Sequence, residues 1–511
     1  MIPTALSIAM AQTNATVGDL AGNVAGLAAL ATQARERGAR LMLAPELALC
    51  GYPPDDLLLR HDFMAACRQA LRQLAEAAAG VDILVGHPHE AFGERFNAAS
   101  ILRGGRVVAT YCKQRLPGHQ LFDELRYFSP GQHPCVVDMG PVRVGLTICA
   151  DVWDWGPVED AREAGAELLL VLNASPFHLG KRAARQEALR ERVLHTGMAA
   201  AYVNLVGGQD ALLFDGASFA LNADGSVAYQ APSFVPRLDI LEYAHGRWRT
   251  APMAVAPTEG DELHGALCLG VRDALDKNGV RTALVPLRAD ADTTLIACLA
   301  LSALGADRVR GLALTPDAVA VATHLGMPCD VIDTAPAPPA PTLDAANWQS
   351  AWRRAWLEAL ARTQGALVLV PGNKTERALG VGAELDVPHA LAPLKDVTAS
   401  QVRQLMQAGL DHCGRVPAFS WANPAAGLAS LPAAPSEAIC EAILAACLDD
   451  EGDPNRLRAQ GFAERDIGWV VQRLAQAERE RQRAPLGIRV SRRGFGREWR
   501  YPAGHAFGGP R

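Results

Sequence analysis

The feature that most constrains the fold is an alternation of short apolar runs with alanine-rich stretches over the first half of the 511 residues. The apolar runs have the length of β-strands, and the stretches between them repeat their apolar positions at helical spacing. Such an alternation predicts a layered α/β fold. The candidate strands are Leu6–Gln12, Leu41–Ala44, Asp82–Gly86, Arg106–Tyr111, Val142–Ile148, Glu167–Leu172 and Ala201–Leu205, and the candidate helices are Asn23–Arg37 and Ala65–Ala79.

A second α/β pattern follows a connector. Periodicity fades between Ser226 and Asp261, which predicts a loop-rich stretch. The order after it is helix, strand, helix, strand, and this order predicts a parallel sheet. Those elements are Glu262–Asn278, Thr282–Leu287, Thr294–Leu304 and Val309–Leu314, followed by helix Ala345–Thr363, strand Ala366–Val370 and further helices. Because the chain exceeds what one core usually organises, we expect domains at 1–245 and 263–511 with a linker at 246–262.

Composition excludes several classes of protein. Lys and Arg number 49 against 55 Asp and Glu, and the net charge of −6 gives no overall positive field for nucleic acid or an anionic membrane. The apolar runs are far shorter than the ~20 residues that a membrane span needs. The start lacks a basic segment and carries Gln12 and Asn14, unlike a secretory signal. We therefore expect a cytoplasmic enzyme with small-molecule partners.

Metal-binding motifs are weak in this sequence. The 11 cysteines are dispersed and form no Cys-x-x-Cys pair, which favours free thiols over a zinc site. His87 and His89 share one face of a predicted strand, but no further ligand stands at a supporting spacing. We predict no metal at these positions.

Three chemically capable residues stand where three different apolar strands end. They are Glu46, Lys113 and Cys149. The carboxyl ends of strands line the ligand crevice in parallel α/β sheets, so these side chains could converge. A thiol nucleophile, a carboxylate base and an ammonium that favours the thiolate and steadies an oxyanion together suit amide cleavage. Each residue alone fits core packing or a solvated edge equally well, and spacing leaves both interpretations open.

Four longer segments carry a resemblance. Ala11–Asp19, Pro45–Leu58, Phe122–Phe128 and Tyr202–Asp210 resemble the carbon-nitrogen hydrolase (nitrilase) superfamily, and more narrowly the glutaminase domain of the glutamine-dependent NAD+ synthetase family. The resemblance implies an N-terminal αββα nitrilase-like sandwich. For the C-terminal half it implies a Rossmann-like parallel-sheet domain of the adenine-nucleotide alpha hydrolase (ATP pyrophosphatase) type.

The same resemblance implies roles for individual residues. Glu46 would be the general base, Lys113 the stabiliser of oxyanion and thiolate, and Cys149 the nucleophile that forms a glutamyl thioester. Glu124 matches a second active-site glutamate. The glutamine contacts implied by the resemblance are Ser175, Lys181 and His119, the last standing where the family usually has tyrosine.

Segments of the C-terminal half resemble the synthetase domain of the same family. They are Ala266–Asp273, Gly372–Glu376, Leu394–Val397 and Gly494–Pro502. The resemblance implies that ATP with Mg2+ adenylates deamido-NAD+, that ammonia then displaces AMP, and that the chain forms a homo-oligomer. The implied nucleotide-binding residues are Asp292, Thr293, Lys374, Thr375, Glu376 and Lys395.

One loop departs from that pattern. The family's pyrophosphate loop reads Ser-Gly-Gly-x-Asp-Ser, whereas this chain has side chains at both glycine positions within Arg288–Thr293. Asp290 would place a carboxylate beside the phosphates, and like charges ~4 Å apart near a surface repel by about 4 kcal/mol. Two enzymatic hypotheses therefore stand: a glutamine-dependent NAD+ synthetase, or a glutaminase or amidase whose second domain is catalytically dead and structural or regulatory. A non-enzymatic scaffold would require the Glu46, Lys113 and Cys149 set to be coincidence.

Overall fold

The computed structural model describes residues 5–78, 80–118, 121–249, 251–332, 336–338, 340, 344–413, 426–429, 431–449 and 454–502. The chain divides into two compact units. The first comprises Met1–Gln209 and Leu213–Ala256, and the second comprises Asp210–Leu212 and Pro257–Arg511.

Strands dominate the first unit. They are β1 (Ala5–Gln12), β2 (Leu41–Leu43), β3 (Asp82–Ala91), β4 (Glu94–Arg103), β5 (Arg106–Cys112), β6 (Val136–Asp138), β7 (Arg143–Ile148), β8 (Leu168–Asn173), β9 (Ala199–Asn204), β10 (Val206–Gln209), β11 (Leu212–Asp215), β12 (Phe219–Leu221), β13 (Val227–Gln230), β14 (Arg237–Ala244) and β15 (Arg247–Trp248). The helices are α1 (Leu20–Glu36), α2 (His61–Ala77), α3 (Glu124–Tyr127), α4 (Pro157–Glu163) and α5 (Lys181–Thr196).

These elements stack in four layers. One sheet has the order β15-β14-β1-β2-β3-β4-β5, and the other has the order β13-β12-β9-β8-β7-β6. An apolar core that includes Leu6, Leu43, Leu146 and Leu170 fills the space between the sheets. Helices α1 and α2 cover the outer face of the first sheet, and α4 and α5 cover that of the second. The predicted αββα sandwich is confirmed.

The strand ends create the setting for a site. Strands β7 and β8 are parallel, with Ile148 paired to Leu172 at their carboxyl ends. Strand β2 is likewise parallel to both β1 and β3. Parallel strands end at a common edge of their sheet, so residues that follow β7 and β8 lie side by side.

The predicted loop-rich connector is wrong for part of its length. Strand β14 pairs antiparallel with β1 along its whole length, and β13 and β15 flank the second and first sheets. Leu238 and Ile240 of β14 pack towards the helices, while Leu241 and Tyr243 face the core between the sheets. Because both faces are covered, this strand lacks the alternation of polar and apolar residues that marks a half-exposed strand.

The second unit is built on a parallel sheet. Its strands are β16 (Ala283–Leu287), β17 (Val309–Ala313), β18 (Cys329–Val331) and β19 (Leu367–Val368), in the order β18-β17-β16-β19, with a separate short pair of β20 (Leu391–Ala392) and β21 (Leu486–Gly487). The helices are α6 (Glu259–Asp276), α7 (Ala291–Leu304), α8 (Pro316–His324), α9 (Ala345–Gln364), α10 (Lys374–Leu379), α11 (Ala399–Cys413), α12 (Ala426–Ala429), α13 (Glu437–Asp449), α14 (Pro454–Ala459), α15 (Glu464–Gln476) and α16 (Glu478–Arg481).

Two apolar clusters organise this unit. Leu284, Leu312 and Val368 of the sheet pack against Leu357 of α9. A second cluster joins α10, α13 and α15. The parallel strands with covering helices confirm the predicted C-terminal parallel-sheet domain. In the described part of the chain, no helix combines the length and apolarity needed to cross a bilayer.

Candidate active site

Glu46 follows β2 and lies fully buried in the first unit. Its Oε1 accepts hydrogen bonds from Asn97 Nδ2 at 2.8 Å and from Lys113 Nζ at 2.7 Å. Its Oε2 accepts one from the backbone N–H of Ala174 at 2.8 Å. A buried carboxylate needs such partners because water cannot solvate it, and they also fix its orientation.

Lys113 joins Glu46 to a second carboxylate. Its side chain is 1% exposed, and Nζ lies 2.9 Å from both oxygens of Glu124. Burial lowers the pKa of the Lys113 ammonium, but the charges of Glu124 and Glu46 outweigh burial and hold that pKa well above its ordinary value. The lysine is therefore a permanent cation between two carboxyl groups.

Cys149 begins the turn that follows β7. Its backbone has a φ of 44°, in the left-handed region that non-glycine residues rarely adopt. Burial and the charge of Glu46 raise the pKa of the thiol, and the opposing effect of Lys113 does not restore it. The resting sulfur is thus a protonated thiol beside the carboxylate of Glu46, and the thiolate that we expected from the lysine alone is not favoured.

Glu124 opens the short helix α3 and is 5% exposed. The hydroxyl of Tyr52 donates a hydrogen bond to its Oε1 at 3.0 Å. Burial raises the pKa of Glu124, while Lys113 opposes that rise. The structure brings Glu46, Lys113, Glu124 and Cys149 into one buried cluster.

Ser175 and Lys181 follow the carboxyl end of β8. Ser175 is 2% exposed, and its backbone N–H donates to Asn204 Oδ1 at 2.9 Å. Lys181 is the first residue of α5, and its Nζ lies 4.0 Å from the ring centroid of Trp153, four residues after Cys149. His119 lies outside the described residues.

Several polar residues around the cluster were missed by the sequence analysis. The side-chain amide of Asn97 donates to Glu46, and its backbone carbonyl accepts a hydrogen bond from the backbone N–H of Lys113 at 2.8 Å. Arg185 and Asp215 form a fully buried ion pair, and Arg185 Nη1 also donates to the carbonyl of Ser175 at 3.4 Å. A polar residue inside an apolar strand, as Asn97 is in β4, was the available signal.

In the second unit, Asp290 occupies the start of α7. Its Oδ1 accepts the backbone N–H of Thr293 at 2.9 Å and the hydroxyl of Thr293 at 2.7 Å. Its Oδ2 pairs with Nε of Arg288 at 2.9 Å. A carboxylate of the chain itself therefore caps the helix N-terminus.

Asp292 and Glu376 form a carboxyl pair near that loop. Asn373 Nδ2 donates to Asp292 at 3.1 Å, and the carboxyls of Asp292 and Glu376 lie close enough to shift each other's pKa. Burial and the neighbouring Asp290 raise the pKa of Asp292 to about 7, and burial and Asp292 raise that of Glu376 to about 9. Carboxylate oxygens are the ligands that Mg2+ prefers in proteins. Within the described residues, no group of three or more His, Cys, Asp and Glu could hold a metal.

The other predicted nucleotide residues have partners in the fold. Lys374 Nζ lies 2.9 Å from Asp396 and donates to Ser491 at 2.6 Å. The hydroxyl of Thr375 donates to Glu441 at 2.7 Å. Lys395 Nζ donates to the carbonyl of Pro485 at 2.6 Å, and burial lowers its pKa to about 8. The structure joins Asp292 to Glu376 but engages these three residues elsewhere.

The loop Arg288–Thr293 differs from a phosphate-binding helix N-terminus with free N–H groups. Phosphate binding at a helix N-terminus uses free backbone N–H groups and the helix dipole. In α7 the N–H of Thr293 is bonded to Asp290, whose negative charge would lie against an incoming phosphate. The chain thus presents a carboxylate of its own at this helix end.

Comparison with known proteins matches each of the two units to a family model. The carbon-nitrogen hydrolase family model matches residues 7–249, and the NAD synthase model matches residues 263–429. The glutamine-dependent NAD(+) synthetase of Xylella fastidiosa (strain 9a5c) is 38% identical over 541 residues, covering 99% of each chain. The chain belongs to the glutamine-dependent NAD+ synthetase family.

Other family members agree over the same length. The glutamine-dependent NAD(+) synthetase of Xanthomonas campestris pv. campestris (strain 8004) is 36% identical over 555 residues, covering 99% of this chain and 98% of the relative. Among solved structures, a glutamine-dependent NAD+ synthetase from Acinetobacter baumannii in complex with adenosine diphosphate has 27% identity and a TM-score of 0.75 over 98% of both chains. A synthetase from Cytophaga hutchinsonii shares the fold, with a TM-score of 0.82 at 17% identity over 98% of both chains.

Proposed function

We propose that the first unit hydrolyses the side-chain amide of glutamine to glutamate and ammonia, and that the ammonia serves the amidation of deamido-NAD+ by the second unit. The observation that carries the first step is the buried cluster in which Glu46 accepts a hydrogen bond from Lys113 and lies close enough to the Cys149 thiol to raise its pKa. The names of the full-length relatives support the second step.

Glu46 acts as the base that the raised thiol pKa demands. As the sulfur of Cys149 attacks the amide carbon, the thiol proton passes to Glu46, and the carbonyl oxygen becomes an oxyanion. Lys113 stabilises this negative charge, together with the backbone N–H of Ala150. Glu46 then gives the proton to the departing nitrogen, and ammonia leaves a glutamyl thioester on Cys149.

Hydrolysis of the thioester repeats these roles. Glu46 takes a proton from the attacking water, a second oxyanion forms beside Lys113, and the C–S bond breaks to release glutamate. The sulfur recovers its proton from Glu46. Glu124 keeps the ammonium of Lys113 in place through contacts to both of its oxygens.

Recognition of glutamine is assigned to the segment after β8. The buried Ser175 offers a hydroxyl, and Lys181 offers a cation for the α-carboxylate. The indole of Trp153 lies against the Lys181 ammonium at 4.0 Å, which holds the cation in position through a cation–π contact.

A second candidate function is favoured by the loop Arg288–Thr293. The carboxylate of Asp290 caps α7 where a phosphate would have to bind. In this candidate, the first unit is a glutaminase or amidase and the second unit has a structural or regulatory role without ATP chemistry.

Two assays test these functions separately. Ammonia release from glutamine is measured for the wild-type chain and for Cys149→Ala, and we expect complete loss in the folded variant. Undiminished release would rule out Cys149 as the nucleophile. The second assay supplies deamido-NAD+, Mg-ATP and ammonium chloride, which bypasses Cys149. Formation of NAD+ and AMP would eliminate the second candidate, whereas their absence beside active glutamine hydrolysis would eliminate ATP-dependent amidation.

A further inference from the structure

Asp151 is a fully buried carboxylate that the proposed chemistry does not use. Each of its two carboxylate oxygens accepts two hydrogen bonds. Oδ1 accepts the backbone N–H groups of Gln114 at 3.1 Å and Arg115 at 2.8 Å. Oδ2 accepts the backbone N–H of Ile148 at 2.9 Å and the hydroxyl of Tyr111 at 2.8 Å.

These four donors belong to two separate segments of the chain. Gln114 and Arg115 directly follow Lys113, and Tyr111 precedes it on β5. Ile148 directly precedes Cys149 at the end of β7. One carboxylate therefore joins the backbone that carries the ammonium to the backbone that carries the thiol.

The backbone at Cys149 needs such support. Its φ of 44° lies in a strained region for a non-glycine residue, and surrounding contacts must hold it there. The bond from Ile148 N–H to Asp151 closes the turn across Cys149 itself. Without this bond the turn would be free to relax and carry the sulfur away from Glu46.

We propose that Asp151 is a positioning residue that sets the distance between Cys149 and Lys113. This proposal rests on the amide hydrolysis assigned above. Asp151 reaches the reacting atoms only through backbone groups, so it acts on geometry and does not exchange a proton with substrate. Oδ1 binds the segment that follows Lys113, and Oδ2 binds both Ile148 and Tyr111. No neutral side chain of similar size accepts four hydrogen bonds in this arrangement.

Asp151→Asn is the sharpest variant. An asparagine has the same shape, but its amide nitrogen must face one of the two pairs of donors. Each pair contains a backbone N–H, so in either orientation one of the two segments loses its backbone hydrogen bonds to residue 151. Tyr111→Phe is the matched control because it removes one hydroxyl and leaves all three backbone bonds in place. Asp151→Ala is a second variant in case Asp151→Asn does not fold. Its cavity can admit a water that accepts hydrogen bonds from the N–H groups, but a water does not fix the two segments at a set distance.

Glutamine hydrolysis and alkylation of Cys149 by iodoacetamide are measured for each variant. We expect the kcat of Asp151→Asn and Asp151→Ala to fall about 100-fold, the cost of misplacing a catalytic group by about 1 Å, with KM within threefold of wild type. We also expect the pH profile of Cys149 alkylation to shift, because the sulfur changes its distance from Lys113. Tyr111→Phe is expected to stay within threefold of wild type in both measurements.

Other results would overturn the proposal. A folded Asp151→Asn or Asp151→Ala with wild-type kcat and an unchanged alkylation profile would show that Asp151 does not position these groups. Failure of both variants to fold, judged by circular dichroism, would assign Asp151 to folding. Alkylation needs no amide substrate, so a shifted profile would stand even if glutamine is not hydrolysed by the wild type; that case would refute the proposed function alone.

Discussion

Nζ of Lys113 lies 2.7 Å from Oε1 of Glu46, and the two side chains are 1% and 0% exposed. Both charges are shielded from water, so each one depends on the other for its stabilisation in the protein interior. Breaking such a pair leaves an unpaired charge in the protein interior. The contact therefore matters for stability and for chemistry.

Lys113→Met tests the dependence. The variant leaves the carboxyls of Glu46 and Glu124 without their cation, and we expect the free energy of unfolding to fall by about 3–5 kcal/mol at neutral pH. Unfolding in denaturant measures this change in the free energy of unfolding. The control is Arg126→Gln, which breaks an exposed ion pair with Asp56 and should change little. Equal stability of Lys113→Met and wild type would contradict a buried charge cluster.

The thiol of Cys149 should behave as a high-pKa thiol. Burial and Glu46 raise its pKa, so the thiolate fraction stays small at neutral pH and rises with pH. Alkylation of the peptide that contains Cys149, followed by mass spectrometry, should accelerate steadily from pH 7 to about pH 9. A rate that is already constant at pH 7 would indicate a preformed thiolate and contradict the role of Glu46 as base.

The carboxyl pair predicts a pH-dependent stability for the second unit. The pKa of Glu376 is raised from 4.5 to about 9 in the folded protein, so its stabilising contribution is present below 4.5 and is lost as the pH rises towards 9. Glu376→Gln keeps an acceptor for the capping box with Asn373 and removes the charge. Calorimetry should find a higher Tm than wild type at pH 8 and a similar Tm at pH 5. A lower Tm at pH 8 would contradict the shifted pKa.

Ala289→Gly/Asp290→Gly tests the capped loop. The double variant removes the carboxylate that caps α7 and frees the N–H of Thr293. We expect ATP affinity, measured by titration calorimetry, to rise at least about tenfold, which corresponds to about 1.4 kcal/mol. Glycine at an N-cap costs only a few tenths of a kcal/mol, so the helix should remain. Ala291→Gly serves as the control because it leaves Asp290 in place. An unchanged ATP affinity of the double variant would show that Asp290 does not weaken nucleotide binding.

Much of the site can be predicted from local sequence. Glu46, Lys113 and Cys149 each follow an apolar run, and the carboxyl ends of such strands meet at a shared edge. The partners that complete the site come from distant positions that no periodicity connects. Asn97 contacts Glu46 from 51 residues away, and the carboxylate of Asp215 meets Arg185 from 30 residues away.

The pKa values of buried groups, the helix cap and the strand covered on both faces were the features least predictable from the sequence. The sequence indicated that Lys113 would lower the thiol pKa of Cys149, but burial and the carboxylates depend on packing and outweigh it. The sequence indicated that Asp290 would stand near phosphates, but it did not indicate that Asp290 caps α7 through its hydrogen bonds to Thr293. Strand β14 was missed because both of its faces are covered.

The covalent state of Cys149 is the most direct test of the account. Wild-type protein is mixed with glutamine, quenched in acid within the first turnovers and analysed by peptide mass spectrometry. We expect one glutamyl group on the peptide that contains Cys149, and none in Cys149→Ala or Glu46→Gln. Rapid conversion of glutamine to glutamate by Cys149→Ala, with no glutamyl group on the wild-type Cys149, would contradict the account.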